Sequence, residues 1–74
     1  MLIKQLSVFI ENRKGRLEEV TQALKEVDIN IASFSLADTS EYGLLRMIVS
    51  NPDEGKRVLK EKGFSAMLTD VIAV

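Results

Sequence analysis

Leu6-Ser7-Val8-Phe9-Ile10-Glu11-Asn12-Arg13-Lys14-Gly15-Arg16-Leu17 contains the change of period on which the architecture turns. From Leu2 to Ile10 the apolar residues Leu6, Val8 and Ile10 alternate with Gln5, Ser7 and Phe9. That spacing predicts a strand buried mostly on one face. Beyond Gly15 the spacing lengthens: Leu17, Val20, Leu24 and Val27 recur at helical intervals, with Glu18, Glu19, Gln22, Lys25 and Glu26 turned outward. The helix is expected to stop at Asp28, in a left-handed conformation that glycine would adopt more easily.

Reading outward, residues 29–37 form a second apolar run. Ala32, Phe34 and Leu36 are expected on one face, and Ile29, Ile31, Ser33 and Ser35 on the other. Asp38-Thr39-Ser40-Glu41 is turn-like, and residues 42–50 read as a third strand of nearly continuous apolar character. Such continuity predicts a central strand covered on both faces. Asn51-Pro52-Asp53-Glu54 is a helix start, with a capping side chain, a proline at the first position and two acids at the positive dipole end. This second helix carries Val58 and Leu59 inward and ends before Gly63. Residues 64–74 supply the last strand, with Phe64, Ala66 and Leu68 alternating against Ser65, Met67 and Thr69.

The order βαββαβ defines an α+β, ferredoxin-like fold. Right-handed crossovers place both helices on one face of a four-stranded antiparallel sheet of order 4-1-3-2. The second and fourth strands are then edges whose free backbone groups invite pairing, so a homodimer or higher homo-oligomer is expected.

Composition narrows the function. At 74 residues the chain is read as one domain, 1–74. It has no cysteine and no histidine, hence no thiolate site, no disulfide framework and none of the commonest metal ligand or general base. We therefore expect no metal, no cofactor and no catalytic residue. Ten basic residues against eleven acidic ones do not make a nucleic-acid binder. No apolar run approaches the roughly 20 residues of a membrane span, and the first residues do not read as a signal peptide. A cytoplasmic protein is the expectation.

The turn before the first helix is the best candidate for chemistry. Free amides near Gly15 and Arg16, at the positive end of a helix dipole, form a ready site for a carboxylate or phosphate. Asn12 offers both a donor and an acceptor, and Asn30 at the next strand's start offers the same pair. Arg13, Lys14 and Arg16 are a short basic cluster that reads first as a solvated loop and second as an anion attractor. Each residue has a plainer use: Asn12 as a turn residue or cap, Gly15 as a turn glycine, Asn30 as a helix-end contact. Arg46, a charge inside the third strand, reads as an interface ion pair rather than a catalytic group. The combination, not any single residue, suggests a site.

The segment 6–17 together with Ile29-Asn30-Ile31 resembles the ACT domain, and the resemblance extends over essentially the whole chain. Its Asn-x-x-Gly loop is most similar to the ACT modules of phosphoglycerate dehydrogenase and of the acetolactate synthase regulatory subunit. Residues 42–50 and 69–74 look like the first half of small two-ACT proteins. The resemblance implies a non-catalytic regulatory module of amino-acid metabolism. Two domains would pair side by side into an eight-stranded sheet and bind a small amino acid at their seam. It assigns Asn12, Arg13, Lys14, Gly15, Arg16, Asn30 and Ile31 to the ligand site, and a metabolic enzyme or a second ACT domain as further partners. Two positions depart from the pattern: Lys14 stands where proline is common, and Asp28 where glycine is frequent. The alternative is a pure assembly module of the same fold without a ligand. An enzyme on this topology is disfavoured, since an acylphosphatase-type arginine loop and a metal-carrying Cys-x-x-Cys are both absent.

Overall fold

A computed structural model describes residues 2–11, 15–39 and 41–72 of the chain. The elements run β1 (Leu2–Glu11), α1 (Arg16–Glu26), β2 (Ile31–Asp38), β3 (Tyr42–Val49), α2 (Pro52–Glu61) and β4 (Ser65–Ile72). The strands form one antiparallel sheet of order β2-β3-β1-β4, the predicted ferredoxin-like arrangement. Leu6, Val8 and Ile10 of β1, Leu45, Met47 and Val49 of β3, and Val20, Ala23, Leu24, Val58 and Leu59 of the helices close the core.

Both helices end in the same way. Asp28, at φ 59°, donates its amide to the Lys25 carbonyl, and Ile29 donates to Leu24, both at 3.0 Å. Gly63, at φ 91°, donates to Lys60 at 3.1 Å, and Phe64 to Leu59 at 2.9 Å. These paired bonds satisfy the orphan carbonyls of each last turn and swing a hydrophobic residue back over the helix. Ile29 and Phe64 are accordingly buried. At the start of α2, the Asn51 side chain accepts the Glu54 amide and Pro52 takes the first turn, as its sequence predicts.

The structure corrects the sequence reading at several points. Ile29 belongs to the end of α1, so β2 begins at Ile31. A bulge between Ile31 and Ser33 inserts one extra residue, Ala32, and resets the alternation. Ile31, opposite buried Val49, therefore shares the helix side with Phe34 and Leu36, and not the face of Ser33 and Ser35. Ala23, not Val27, completes the inner stripe of α1; Val27 is 40% exposed. On β3 the chain covers only one side. Gly43, Leu45, Met47 and Val49 are buried, whereas Leu44 and Ile48 are half-buried and Arg46 is exposed on the far face.

α1 packs on α2 and β1, and α2 packs on β1, β3 and β4; neither helix backs β2. Gly55 allows the close seat of α2. A β-carbon there would stand 3.1 Å from Leu6 Cδ2 and 3.4 Å from Leu24 Cδ2. Gly55→Ala is expected to be near neutral, its helix propensity gain of roughly 1 kcal/mol offsetting the tight contact. Gly55→Val is expected to cost about 1–3 kcal/mol by overpacking, read as a lower urea midpoint at unchanged slope. Asp28→Val should cost about 1–2 kcal/mol in the same assay, because a β-branched residue strains at positive φ, whereas Asp28→Gly should cost nothing.

Candidate functional site

The site suggested by sequence is built on the turn that follows β1. Asn12, Arg13 and Lys14 lie outside the described residues. Gly15 occupies the N-cap of α1 at φ 88°. Beyond its chain neighbours, no atom of the described residues lies within 4 Å of where its β-carbon would be, and its φ is one that glycine adopts most easily. The Gly15 carbonyl accepts the Glu19 amide at 3.0 Å, and no side chain among the described residues caps the helix. The amides of Arg16, Leu17 and Glu18 precede the first intrahelical bond and meet no acceptor among the described residues. They are positive-ended groups directed at the turn.

Arg16 itself is committed within the chain. Its guanidinium stacks on the Phe64 ring at 4.3 Å to the centroid, and its Nη1 donates to Glu19 Oε2 at 2.7 Å. The side chain is 18% exposed, and Nε is buried with no acceptor among the described residues. Phe64 leads into β4, at the sheet edge opposite β2, so the arginine charge is drawn away from Asn30 and Ile31.

Asn30 is exposed at the start of β2. Its amide donates to Ser50 Oγ at 3.0 Å, and its carbonyl accepts the Ser50 amide at 2.9 Å. The two backbone bonds fix the residue while leaving its carboxamide to solvent. Ile31 is half-buried against the core.

One chain does not bring these halves together. Glu11, just before the turn, pairs with Tyr42 at one end of β3, while Ile31 pairs with Val49 at the other. Seven strand steps of about 3.3 Å place Glu11 and Ile31 roughly 23 Å apart along the sheet.

Sequence reasoning did not find the groove between α1 and β2. It is open, about 420 Å³, and is lined by Leu17, Thr21, Ile31, Phe34, Leu45 and Met47 among others. The Thr21 hydroxyl donates to the Glu18 carbonyl at 3.0 Å, and apart from Thr21 and Ser33 the lining side chains are apolar. Phe34 is 65% and Leu36 41% exposed, although both stand on the helix side of the sheet. Their alternation reads as core in the sequence; only the offset of α1 from β2 reveals them. Among the described residues no cluster of acids could hold a metal, and no helix is long and apolar enough to cross a membrane.

A βαββαβ module with sheet order β2-β3-β1-β4 defines the ferredoxin-like α+β class. The chain belongs to the ACT domain family: the family described as an ACT domain pair matches residues 1–74. A crystal structure of a Bacteroides thetaiotaomicron protein is 44% identical over 95% of this chain and 49% of that one, with a TM-score of 0.90. The regulatory subunit of aspartate kinase from Thermus thermophilus, in its ligand-free form, is 22% identical over 89% of this chain and 49% of its own, at TM-score 0.75. The ACT domain of prephenate dehydrogenase from Bacillus anthracis is 24% identical over 85% of this chain and 99% of its own, at TM-score 0.73. The last two likenesses establish the fold alone. The chain spans about half the length of the first structures it matches, at 49%, 47% and 49%. Comparison with functionally curated proteins found no match. ACT domains are regulatory modules, some of them parts of larger enzymes.

Arg16→Ala removes the stacking on Phe64 and is expected to destabilise the chain by about 1–2 kcal/mol. Arg16→Lys should recover only part of that, since an ammonium lacks the planar guanidinium surface. Urea titrations of the three proteins measure the order.

Proposed function

We propose that residues 1–74 form one non-catalytic sensor module that binds a small free amino acid between two copies and modulates amino-acid metabolism. One observation carries this reading. The amide-bearing turn and Asn30 lie at opposite ends of the sheet within a chain. Antiparallel pairing of β2 with a second β2 sets the start of one strand beside the end of the other. Asn30 of the second copy then reaches the sheet end that holds Gly15. The free amides of α1 would take the carboxylate, and the carboxamides of Asn12 and Asn30 the remaining polar groups, with Arg13 and Lys14 adding positive charge. A site of this kind needs no metal, cofactor or catalytic group. The module would act in the cytoplasm, on a metabolic enzyme or beside a second ACT domain.

A specific observation also favours a second reading. The exposed Phe34 and Leu36 beside an unpaired edge would serve a pure assembly module equally well. A thermal-shift panel of the twenty amino acids separates the two. Sensing requires that one or a few raise the melting temperature, reaching about 2.7 kcal/mol of stabilisation at a hundredfold excess over the dissociation constant. Asn12→Ala and Asn30→Ala should each abolish the shift without lowering the unliganded melting temperature. Because the site spans two chains, apparent affinity should weaken on dilution. A flat panel, or an affinity independent of protein concentration, rejects the sensor.

A further inference from the structure

We infer that the amino acid of the proposed sensor carries an uncharged, apolar side chain of valine to phenylalanine size, seated in the groove between α1 and β2. The inference rests on the reading above only in placing the ligand's carboxylate at the first turn of α1. The groove itself is formed within one chain.

The groove begins where the free amides are. Leu17, whose amide precedes the first intrahelical bond, is also a wall of the groove, and Thr21 stands one turn further along the same helix face. Helical side chains lean toward the N-terminus, so Leu17 covers the surface beside the Gly15 turn. Leu45 and Met47, each 1% exposed, form the floor, and Ile31 and Phe34 line the β2 side. A carboxylate held at the turn therefore has an apolar channel beside it, running along α1.

Size and polarity then select the side chain. The groove holds about 420 Å³. An apolar cavity of about 150 Å³ suffices for benzene, so a branched or aromatic side chain fits with room to spare. None of the lining residues is ionisable. The arginines of α1 and β3 are turned elsewhere: Arg16 stacks on Phe64 and bonds Glu19, and Arg46 is exposed on the other face of the sheet. Glu18 and Lys25, on either side of Thr21, are exposed and outside the lining. The Thr21 hydroxyl already donates to the Glu18 carbonyl. A charged or strongly polar side chain would lose its water here without gaining a partner. Each carbon buried in the groove instead gains roughly fourfold in affinity. The amides select a carboxylate, and the groove selects hydrocarbon.

Calorimetric titration of the unaltered chain tests this with pairs of similar shape, leucine against asparagine and valine against threonine. Alanine, serine, lysine and glutamate complete the set. Affinity should rise by roughly tenfold or more from alanine to leucine. Leucine should exceed asparagine, and valine threonine, by about tenfold or more. Thr21→Phe puts a ring into the groove from an exposed helical position. It should weaken leucine by about tenfold and leave alanine nearly unchanged, with the unliganded melting temperature checking that the variant is folded. Tightest binding of serine, asparagine, lysine or glutamate overturns the inference and leaves the sensor standing. A leucine affinity indifferent to Thr21→Phe does the same. A leucine response abolished by Thr21→Phe but untouched by Asn30→Ala keeps the groove and rejects the site shared between two copies. A flat response to every amino acid rejects both.

Discussion

The seat of two helices over the wrong half of a four-stranded sheet governs this molecule. Four strands spaced about 4.8 Å apart are nearly as wide as two helices about 10 Å across, so two helices can just cover them. Here the bare α-carbon of Gly55 lets α2 settle onto Leu6 and Leu24, and α1 packs against it. The pair stands over β1 and its neighbours and leaves β2 outside. The groove, the exposed Phe34 and Leu36, and the unpaired edge follow from that displacement.

The turn at Gly15 and the start of β2, the two halves of the proposed site, are held at opposite sheet ends by the topology of the chain. A crossover helix that begins at one end of the sheet must deliver the chain to the other end before β2 can run antiparallel to β3. The amides of α1 and the carboxamide of Asn30 thus diverge within any single copy of this fold. Arg16 reinforces the division: its stacking on Phe64 anchors the helix start toward β4 and takes the arginine's charge away from β2. What the first turn of α1 offers there is backbone polarity, which favours a small anion without dictating which one.

Much of this was legible in the sequence because the signals are local. The change of period after Ile10, the Asn51-Pro52 start and the glycine at 63 each act through a neighbouring backbone bond. Asp28 was legible for the same reason: the helix needs a left-handed residue there whatever the side chain. The bulge at Ala32 was not, since one extra residue leaves no trace in an apolar run yet moves Ile31 to the other face. Val27 misses the core because it is the C-cap of α1, at φ −108° and ψ 20°, beyond the last helical residue of the stripe that Ala23 joins. The site was half legible. The left-handed glycine and exposed Asn30 follow from residue type, whereas the orientation of Arg16 depends on Phe64, far along the chain.

A binding site completed by a second copy would have a thermodynamic consequence. If a ligand contacts groups from two copies, it favours the paired state by its whole interaction with the second chain, and pairing strengthens ligand binding by the same factor. The apolar seam at Phe34 and Leu36 would set the baseline of that equilibrium. A strong seam leaves the ligand little to shift; a weak one demands that binding supply the association energy. An edge of five uncharged residues with only two large apolar side chains is a small contact by the standards of permanent dimers. A contact of that size would leave room for a ligand to change how many copies are joined, as the proposed sensor requires.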